Sequence, residues 1–542
     1  MNLEGIDISK LTPMMRQFFD LKSRVEDSIL FFRMGDFYEI FGDDAEEVAP
    51  KLELVLTSRE RGDKNKIPFC GVPHHSARNY WLKLLKMGYR VAIADQVENP
   101  EDAKGLVKRD IVQVYTPGCI EDLEGLEADS PNYLMVVYES PDHRRWVMTL
   151  VDVSTGEFRC GGLKSFDELR SYVQRFRPRE LACRRFIQDD VKELLKDFTA
   201  DFGLSVASIP EGILRDGEKQ KELVENAFSV SSISDLPCGE VPGGDTVVAA
   251  TLAYLTAIHA TTEQFLNIAP LQENQTMVLD ETVIRDLEIF ETARRRQSQG
   301  SLFREINRSR TPMGARLLRK SLAAPFVDSS AIKERQDNVA GLLESGGSFL
   351  KELRDGLKGT PDLERLSTRV LSKKAHPLEV AQIRDTLSIA LELSDHIKSQ
   401  KNLIKTFSSP LSAIADAERP LQLLSSALVD LPSPLGSLSI FAPGYDDDFD
   451  QLKGLSDNGQ DEIDNYEKSL REETQISSLK IKNHKTFGLL IEVTKANLSK
   501  VPSHFIRRQT MVNNERFVTD ELVTLGDQLA AATENAYARE AE

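Results

Sequence analysis

No run of 18 or more apolar residues occurs in the 542-residue chain, which excludes a membrane-spanning helix. The first ten residues, MNLEGIDISK, hold no basic stretch followed by an apolar one, so no secretory signal is expected. Cysteine is scarce. Cys70, Cys119, Cys160, Cys183 and Cys238 are odd in number and lack a pairing pattern, which predicts reduced thiols and a cytoplasmic protein. Positive charge is outnumbered, 68 Lys and Arg against 86 Asp and Glu, and the net −18 by itself argues against a nucleic-acid partner. A phosphate loop is missing as well. No G-x-x-x-x-G-K-[ST] occurs, and the nearest Gly-rich stretches, Cys160-Gly161-Gly162 and Gly356–Thr360, lack its spacing. No cofactor and no catalytic site are therefore expected in this chain.

The apolar content, 40%, suffices to bury several cores at this length. The acidic average also hides two basic islands. From Leu479 to Gln509, Lys480, Lys482, Lys485, Lys495, Lys500, Arg507 and Arg508 face only Glu492. From Arg59 to Arg109, eleven Lys or Arg face six acids. Phosphate attraction depends on charge within about 10 Å at moderate salt, so local surplus outweighs the chain average. A solvated face that touches nothing is the plain alternative for any single charge run.

The pattern along the chain predicts a multidomain α+β protein. Residues 1–117 alternate short apolar runs with helical stretches such as 78–87, and the Thr116-Pro117-Gly118 turn closes this small α/β unit. Acidic residues 120–129 read as a linker. Residues 130–245 form a second α/β unit, with strands at Tyr133–Tyr138 and Trp146–Val153, a turn into a third strand, and then helices. Helical periodicity dominates from about 250, as in Leu378–Leu393, and predicts a helical core over 250–436 and 506–542. Between 437 and 505 a charged helix, Asp446–Glu473, leads into strand-like runs at Ser478–Ile481 and Phe487–Val493, an arm with a β-tip. The last residues, LGDQLAAATENAYAREAE, carry no helix stop signal, and the expectation is a truncated chain.

Phe37-Tyr38-Glu39 is the most suggestive short pattern. Its run of Phe, Tyr and Ile after Gly35-Asp36 predicts a strand, which puts Phe37 and Glu39 on one face and Tyr38 on the other. A carboxylate beside a ring is a poor general grip for phosphates. It suits a probe in which the ring wedges into a base stack while the acid hydrogen-bonds a displaced base. The alternative is an ordinary edge strand with a solvent-facing Glu. Arg59 is a candidate backbone contact beside such a lesion, or else a surface residue of the RERGDKNK loop. Other sites fail on chemistry. Cys70, His74 and His75 lack a fourth zinc ligand, and Asp152 is a lone acid where two-metal cleavage needs several.

In chain order Thr12–Met15, Phe37–Glu39, Ile67–His75, Val91–Glu98 and Lys104–Arg109 resemble the mismatch-recognition domain of the MutS family of DNA mismatch-repair proteins. Leu279-Asp280, Asp286–Glu288 and Arg310–Arg319 resemble the family's core, and Ile491–Asn497 and Ile506–Thr510 its clamp and the return to the core. The resemblance implies a small mixed α/β mismatch-binding domain, a ribonuclease-H-like connector, a helical lever core and a helical clamp with a β-tip. It implies that Phe37 is the wedge and Glu39 the reader, and that the partner is double-stranded DNA with mismatches or small loops. For the full-length family it further implies a MutL-type partner, a homodimer, and ATP with Mg in a carboxy-terminal ATPase domain that this chain lacks. Two other readings remain: a paralogue that binds other DNA structures, and a ribonuclease-H-like nuclease using Asp152. The sequence departs from family habit at Ala94-Asp95, where Cys-Glu is usual, at Asp286, where Asn is, and at Leu489-Leu490, which replaces a Tyr pair.

Overall fold

The computed structural model describes residues 12–59, 67–98, 106–121, 123–139, 146–166, 168–271, 276–484 and 488–542. It divides into two compact units, Met1–Lys374 with Asp395–Ser408, and Ala375–Ser394 with Ser409–Glu542. The first unit contains two six-stranded sheets and a set of helices. Strands β1 (Ile29–Met34), β2 (Phe37–Phe41), β3 (Thr57–Arg59), β4 (Ile67–Pro73), β5 (Val91–Gln96) and β6 (Arg109–Tyr115) form the first sheet, in the order β3-β4-β2-β1-β5-β6. Only β1 and β5 run parallel.

Helix Pro13–Arg24 covers one face of this sheet. Pro13 suits the first helical turn, and the Thr12 hydroxyl accepts the Met15 N–H there. Its apolar stripe buries Phe18, whose ring meets Phe32 and Phe41 edge-on at centroid distances of 5.7 and 4.9 Å. Each such fully buried ring contributes about 2–3 kcal/mol. Helices Asp43–Leu52 and Ala77–Lys86 cover the opposite face and bury Phe31, Tyr38 and Ile40.

The second sheet comprises β7 (Leu134–Glu139), β8 (Trp146–Asp152), β9 (Glu157–Leu163), β10 (Glu180–Cys183), β11 (Ser205–Ser208) and β12 (Ala269–Pro270), in the order β11-β10-β7-β8-β9-β12. β7, β8 and β9 are an antiparallel meander, with β10 parallel to β7 and β11 parallel to β10. Helix Gly244–Ala257 belongs to this layer, and its Thr251 hydroxyl lies 2.6 Å from that of Thr149 on β8. The layer therefore runs past residue 245, where the pattern placed its end. A helix apolar on all sides reads in sequence as the start of a helical core, and only packing assigns it to the sheet.

Residues 120–129, expected as a linker, are docked rather than free. Arg365 donates to the carbonyls of Glu127 and Ser130 at 3.0 and 2.9 Å, and Arg316 donates to that of Ala128 at 3.0 Å. Arg304 pairs with Asp129 at 2.8 Å, and Lys374 pairs with Glu121. Arg304, Arg316 and Arg365 come from helices that follow the second sheet and Lys374 from the segment after one of them, so an acidic run that looks solvated is matched by charges some 200 residues away.

The second unit holds a helical part and a four-stranded antiparallel sheet. Strands β13 (Lys480–His484), β14 (Gly488–Thr494), β15 (Ile506–Thr510) and β16 (Asn514–Val518) lie in the order β13-β14-β16-β15. Residues 506–518, expected among the returning core helices, are instead two strands of this sheet. Phe517 sits opposite Ile491 and joins its core, a non-local pairing that no local period announces. The helix expected at Asp446–Glu473 is two helices, Asp447–Asp457 and Gly459–Thr474, meeting at Asn458. Among the described residues no helix is long and apolar enough to cross a membrane. All five cysteines are free and buried.

Candidate nucleic-acid interface

Phe37 opens β2 directly after the Gly35-Asp36 turn, where Gly35 adopts φ +58°, a conformation costly for residues with a Cβ. The ring is 48% exposed, whereas Tyr38 beside it is 3% exposed and points into the opposite core. Glu39 shares the face of Phe37 and is half-buried. β2 is not an edge strand: it pairs with β1 on one side and β4 on the other. The register sets Glu39 opposite Gly71, and a Cβ at Gly71 would lie 3.7 Å from Glu39 Cγ and 3.9 Å from Phe37 Cδ1. Glycine at that position leaves the ground between ring and carboxylate clear.

The turn beneath the ring is braced from several directions. The buried Arg109 side chain donates to the Arg33 carbonyl at 2.6 Å and lies over the Phe32 ring at 5.1 Å. Arg33 donates to the Gly35 carbonyl at 2.5 Å, and the His74 N–H to the Asp36 carbonyl at 2.8 Å. On the far face the Tyr38 hydroxyl donates to Asp95 at 2.7 Å. Burial and the Asp95 carboxylate drive the Tyr38 pKa far above its ordinary value, so the phenol keeps its proton. Asp95 is one of the positions that depart from family habit, and here the shorter acid still reaches the tyrosine. Sequence reading missed these bracing residues because their partners lie on other strands.

Arg59 ends β3, opposite Ile67, and its side chain lies outside the described residues. Phe37 pairs with Pro73, six residues further along β4. At about 3.3 Å per residue that is about 20 Å, so Arg59 is not beside Phe37.

In the second unit, Lys480 and Lys482 lie on β13 and Arg507 and Arg508 on β15, the two edges of the sheet. Three strand spacings of about 4.8 Å separate these pairs by about 14 Å. Lys495 and Lys500 are the first and last residues of a short 3-10 helix after β14. Lys485 lies outside the described residues. The six described cations are exposed but not equally free. Lys482 pairs with Glu492 at 2.8 Å, Arg507 pairs with Glu515 at 3.1 Å, and Lys500 donates to the Gln475 carbonyl at 3.4 Å. Burial works to raise the Glu492 pKa, but hydrogen bonds from Lys482 and Arg516 outweigh it and hold it below the usual carboxylate range. Lys480, Lys495 and Arg508 have no carboxylate partner among the described residues. Eight Lys or Arg against two Glu between Lys480 and Val518 give this sheet a local surplus of positive charge within an acidic chain.

Asp152 is fully buried and its carboxylate is engaged. It accepts the N–H of Asn132 at 3.0 Å, and the N–H and hydroxyl of Ser154 at 2.9 and 2.6 Å. Burial raises its pKa despite these bonds. An acid committed to tying two turns is not poised for hydrolysis. Duplex DNA incubated with the chain and Mg²⁺ or Mn²⁺ is expected to stay intact on a denaturing gel; cleavage lost with Asp152→Asn would restore the nuclease reading. Gly161-Gly162 lies within β9, where a Cβ on Gly161 would meet Leu271 at 2.6 Å, so the pair packs against a side chain instead of cradling phosphate. Among the described residues no group of three His, Cys, Asp or Glu could hold a metal ion.

Three family profiles match in succession: MutS domain I over residues 12–124, MutS domain II over 132–268 and MutS domain III over 282–517. The chain belongs to the MutS family. It is 36% identical over 540 residues to the DNA mismatch repair protein MutS of Caldanaerobacter subterraneus subsp. tengcongensis, covering 97% of this chain and 60% of that protein. The protein of the same name from Syntrophobacter fumaroxidans is 33% identical over 534 residues, 97% of this chain and 59% of its own length. The MutS of Halothermothrix orenii is 36% identical over 528 residues, with 95% and 57% covered. The chain thus spans about three fifths of the length of these relatives. The MutS domain I match contains Phe37, Glu39 and Gly71, and the domain III match contains the basic sheet.

Proposed function

We propose that this MutS-family chain is a mismatch sensor that engages duplex DNA carrying mispairs or small loops. Phe37 enters the base stack at the lesion, Glu39 hydrogen-bonds a displaced base, and the duplex kinks at the unstacked step. Lys480, Lys495 and Arg508, and more weakly Lys482, Lys500 and Arg507, hold phosphates without reading sequence. The observation that carries this reading is the exposed Phe37 ring on an internal, braced strand, with Glu39 on the same face and Gly71 clear between them. A rigid wedge keeps its shape when a base is pressed against it, whereas a loop-borne one would give way. A MutL-type partner, a second copy of the chain and ATP with Mg belong to the same proposal for the longer family protein, and nothing in the mechanism above is routed through them.

Glu39→Gln is expected to leave mismatch binding in place and to tighten matched-duplex binding roughly threefold to tenfold, because a charge repelled by phosphates is removed. Fluorescence anisotropy with the two duplexes checks this, and a uniform loss of affinity would contradict it. Lys480→Ala and Arg508→Ala should each flatten the slope of log K against log salt by about one. Lys482→Ala should change it less, since Glu492 already neutralises that charge. Equal slopes for all three variants would remove the distinction drawn from the ion pairs.

A further inference from the structure

The first unit holds a cavity whose charge pattern the DNA-facing residues do not explain. Its volume is about 170 Å³, and it lies where the second sheet meets the helices that follow it. β9 and helix Glu168–Phe176 supply Arg159 and Arg175, and helices Pro312–Ala323 and Ser329–Glu344 supply Arg319, Lys320 and Arg335. Glu157, bonded to three of the lining residues, is already shared: Arg159 donates to it at 2.7 Å, Lys320 at 2.6 Å and the Tyr133 hydroxyl at 2.9 Å.

Arg319 and Arg335 have no carboxylate partner among the described residues. Each guanidinium lies instead on a ring face, Arg319 at 4.5 Å from the Phe290 centroid and 5.3 Å from Phe303, and Arg335 at 4.7 Å from Phe326. Stacking of this kind fixes the plane of an arginine and leaves its N–H edge available. Burial and the neighbouring Arg177 push the Arg319 pKa down to about 10, against the opposing pull of Asp129, Glu127 and Glu291. Clustered cations that repel one another in a confined space are unfavourable unless an anion sits among them.

We propose that this cavity binds a small phosphate-type oxyanion, free or carried by a mononucleotide, through Arg319 and Arg335 with Lys320 and Arg159 beside them. Planar guanidinium forks match the oxygens of such a group. A 170 Å³ space admits a phosphate but not a duplex. Because the cations come from both the second sheet and the later helices, the ligand would join those two layers.

Isothermal titration of the whole chain at constant ionic strength tests this, with pyrophosphate, inorganic phosphate, AMP and adenosine as probes. The expected result is saturable one-to-one binding of the phosphorylated probes, weakened about tenfold or more by Arg319→Gln and by Arg335→Gln. Arg294→Gln, at an exposed position outside the cavity, and Phe37→Ala should leave it unchanged. AMP binding tighter than phosphate, with no binding of adenosine, identifies a nucleotide; equal affinities identify the free anion. Arg335 is exposed on its helix, so its variant remains informative if Arg319→Gln fails to fold. No saturable binding of any probe, or affinities indifferent to both substitutions, overturns the proposal.

Discussion

Phe37→Ala is expected to erase the preference for a mismatched over a matched duplex while leaving matched-duplex affinity nearly unchanged. Stacking a base on an aromatic ring is worth about 1–3 kcal/mol, so the lost discrimination is roughly fivefold to more than a hundredfold. The ring is 48% exposed and sits at the first residue of β2, outside the buried clusters on either face of the sheet. Its removal should therefore shift the melting temperature little. Phe37→Tyr, which keeps the π-face, should retain most of the preference. Competition binding with a labelled single-base-insertion duplex separates the cases. Discrimination intact in the alanine variant would remove the wedge role, whatever the family membership.

Arg316→Met should carry the largest cost to stability, about 3 kcal/mol, and should loosen residues 121–130. The Arg316 side chain is 3% exposed and meets Asp362 through two hydrogen bonds at 2.6 and 2.7 Å. It also reaches Glu364 at 2.6 Å and the Ala128 carbonyl at 3.0 Å. Burial works against its charge, and the two carboxylates more than restore it, leaving the pKa above the ordinary arginine value. Deleting one partner of a buried ion pair leaves the other uncompensated, typically at 3–5 kcal/mol. The lower figure applies because the Glu364 side chain is 49% exposed and can turn to water. Calorimetry should show an early transition moved down by several degrees, and limited proteolysis should cut within 121–130 sooner. Arg316→Lys should recover only part of the loss, since an ammonium cannot make the forked contacts. Unchanged melting and cleavage in Arg316→Met would show that the docking of this segment does not depend on the arginine.

Local chemistry announced some of this architecture and was silent on the rest. The β2 strand was legible because Phe37, Tyr38 and Ile40 follow a turn with period-two alternation, and the same alternation placed Phe37 and Glu39 together. Its position inside the sheet was not legible, because β4 pairs with it from some thirty residues away. The same limit explains residues 506–518, whose strand character depends on Phe517 meeting Ile491. Helix Gly244–Ala257 was assigned to the wrong side of a boundary because uniform apolarity carries no direction. The acidic run 120–129 looked like a tether, since its arginine partners lie at 304, 316 and 365. Of the candidate site, the basic island between 479 and 509 was visible by counting charge. Which of those charges are already neutralised by Glu492 and Glu515 emerged only from the pairing of β13 to β16.

Titrating this chain against a matched duplex, a G·T duplex and a single-base-insertion duplex, each at two salt concentrations, is the most direct test of lesion sensing by the Phe37–Glu39 pair. The expected result is tighter binding to both heteroduplexes at both salts, with parallel salt slopes for the three, because the phosphate contacts are shared and the wedge is uncharged. Equal and strongly salt-dependent binding to all three duplexes would contradict it: the basic sheet would then grip DNA while the tip on β2 reads nothing.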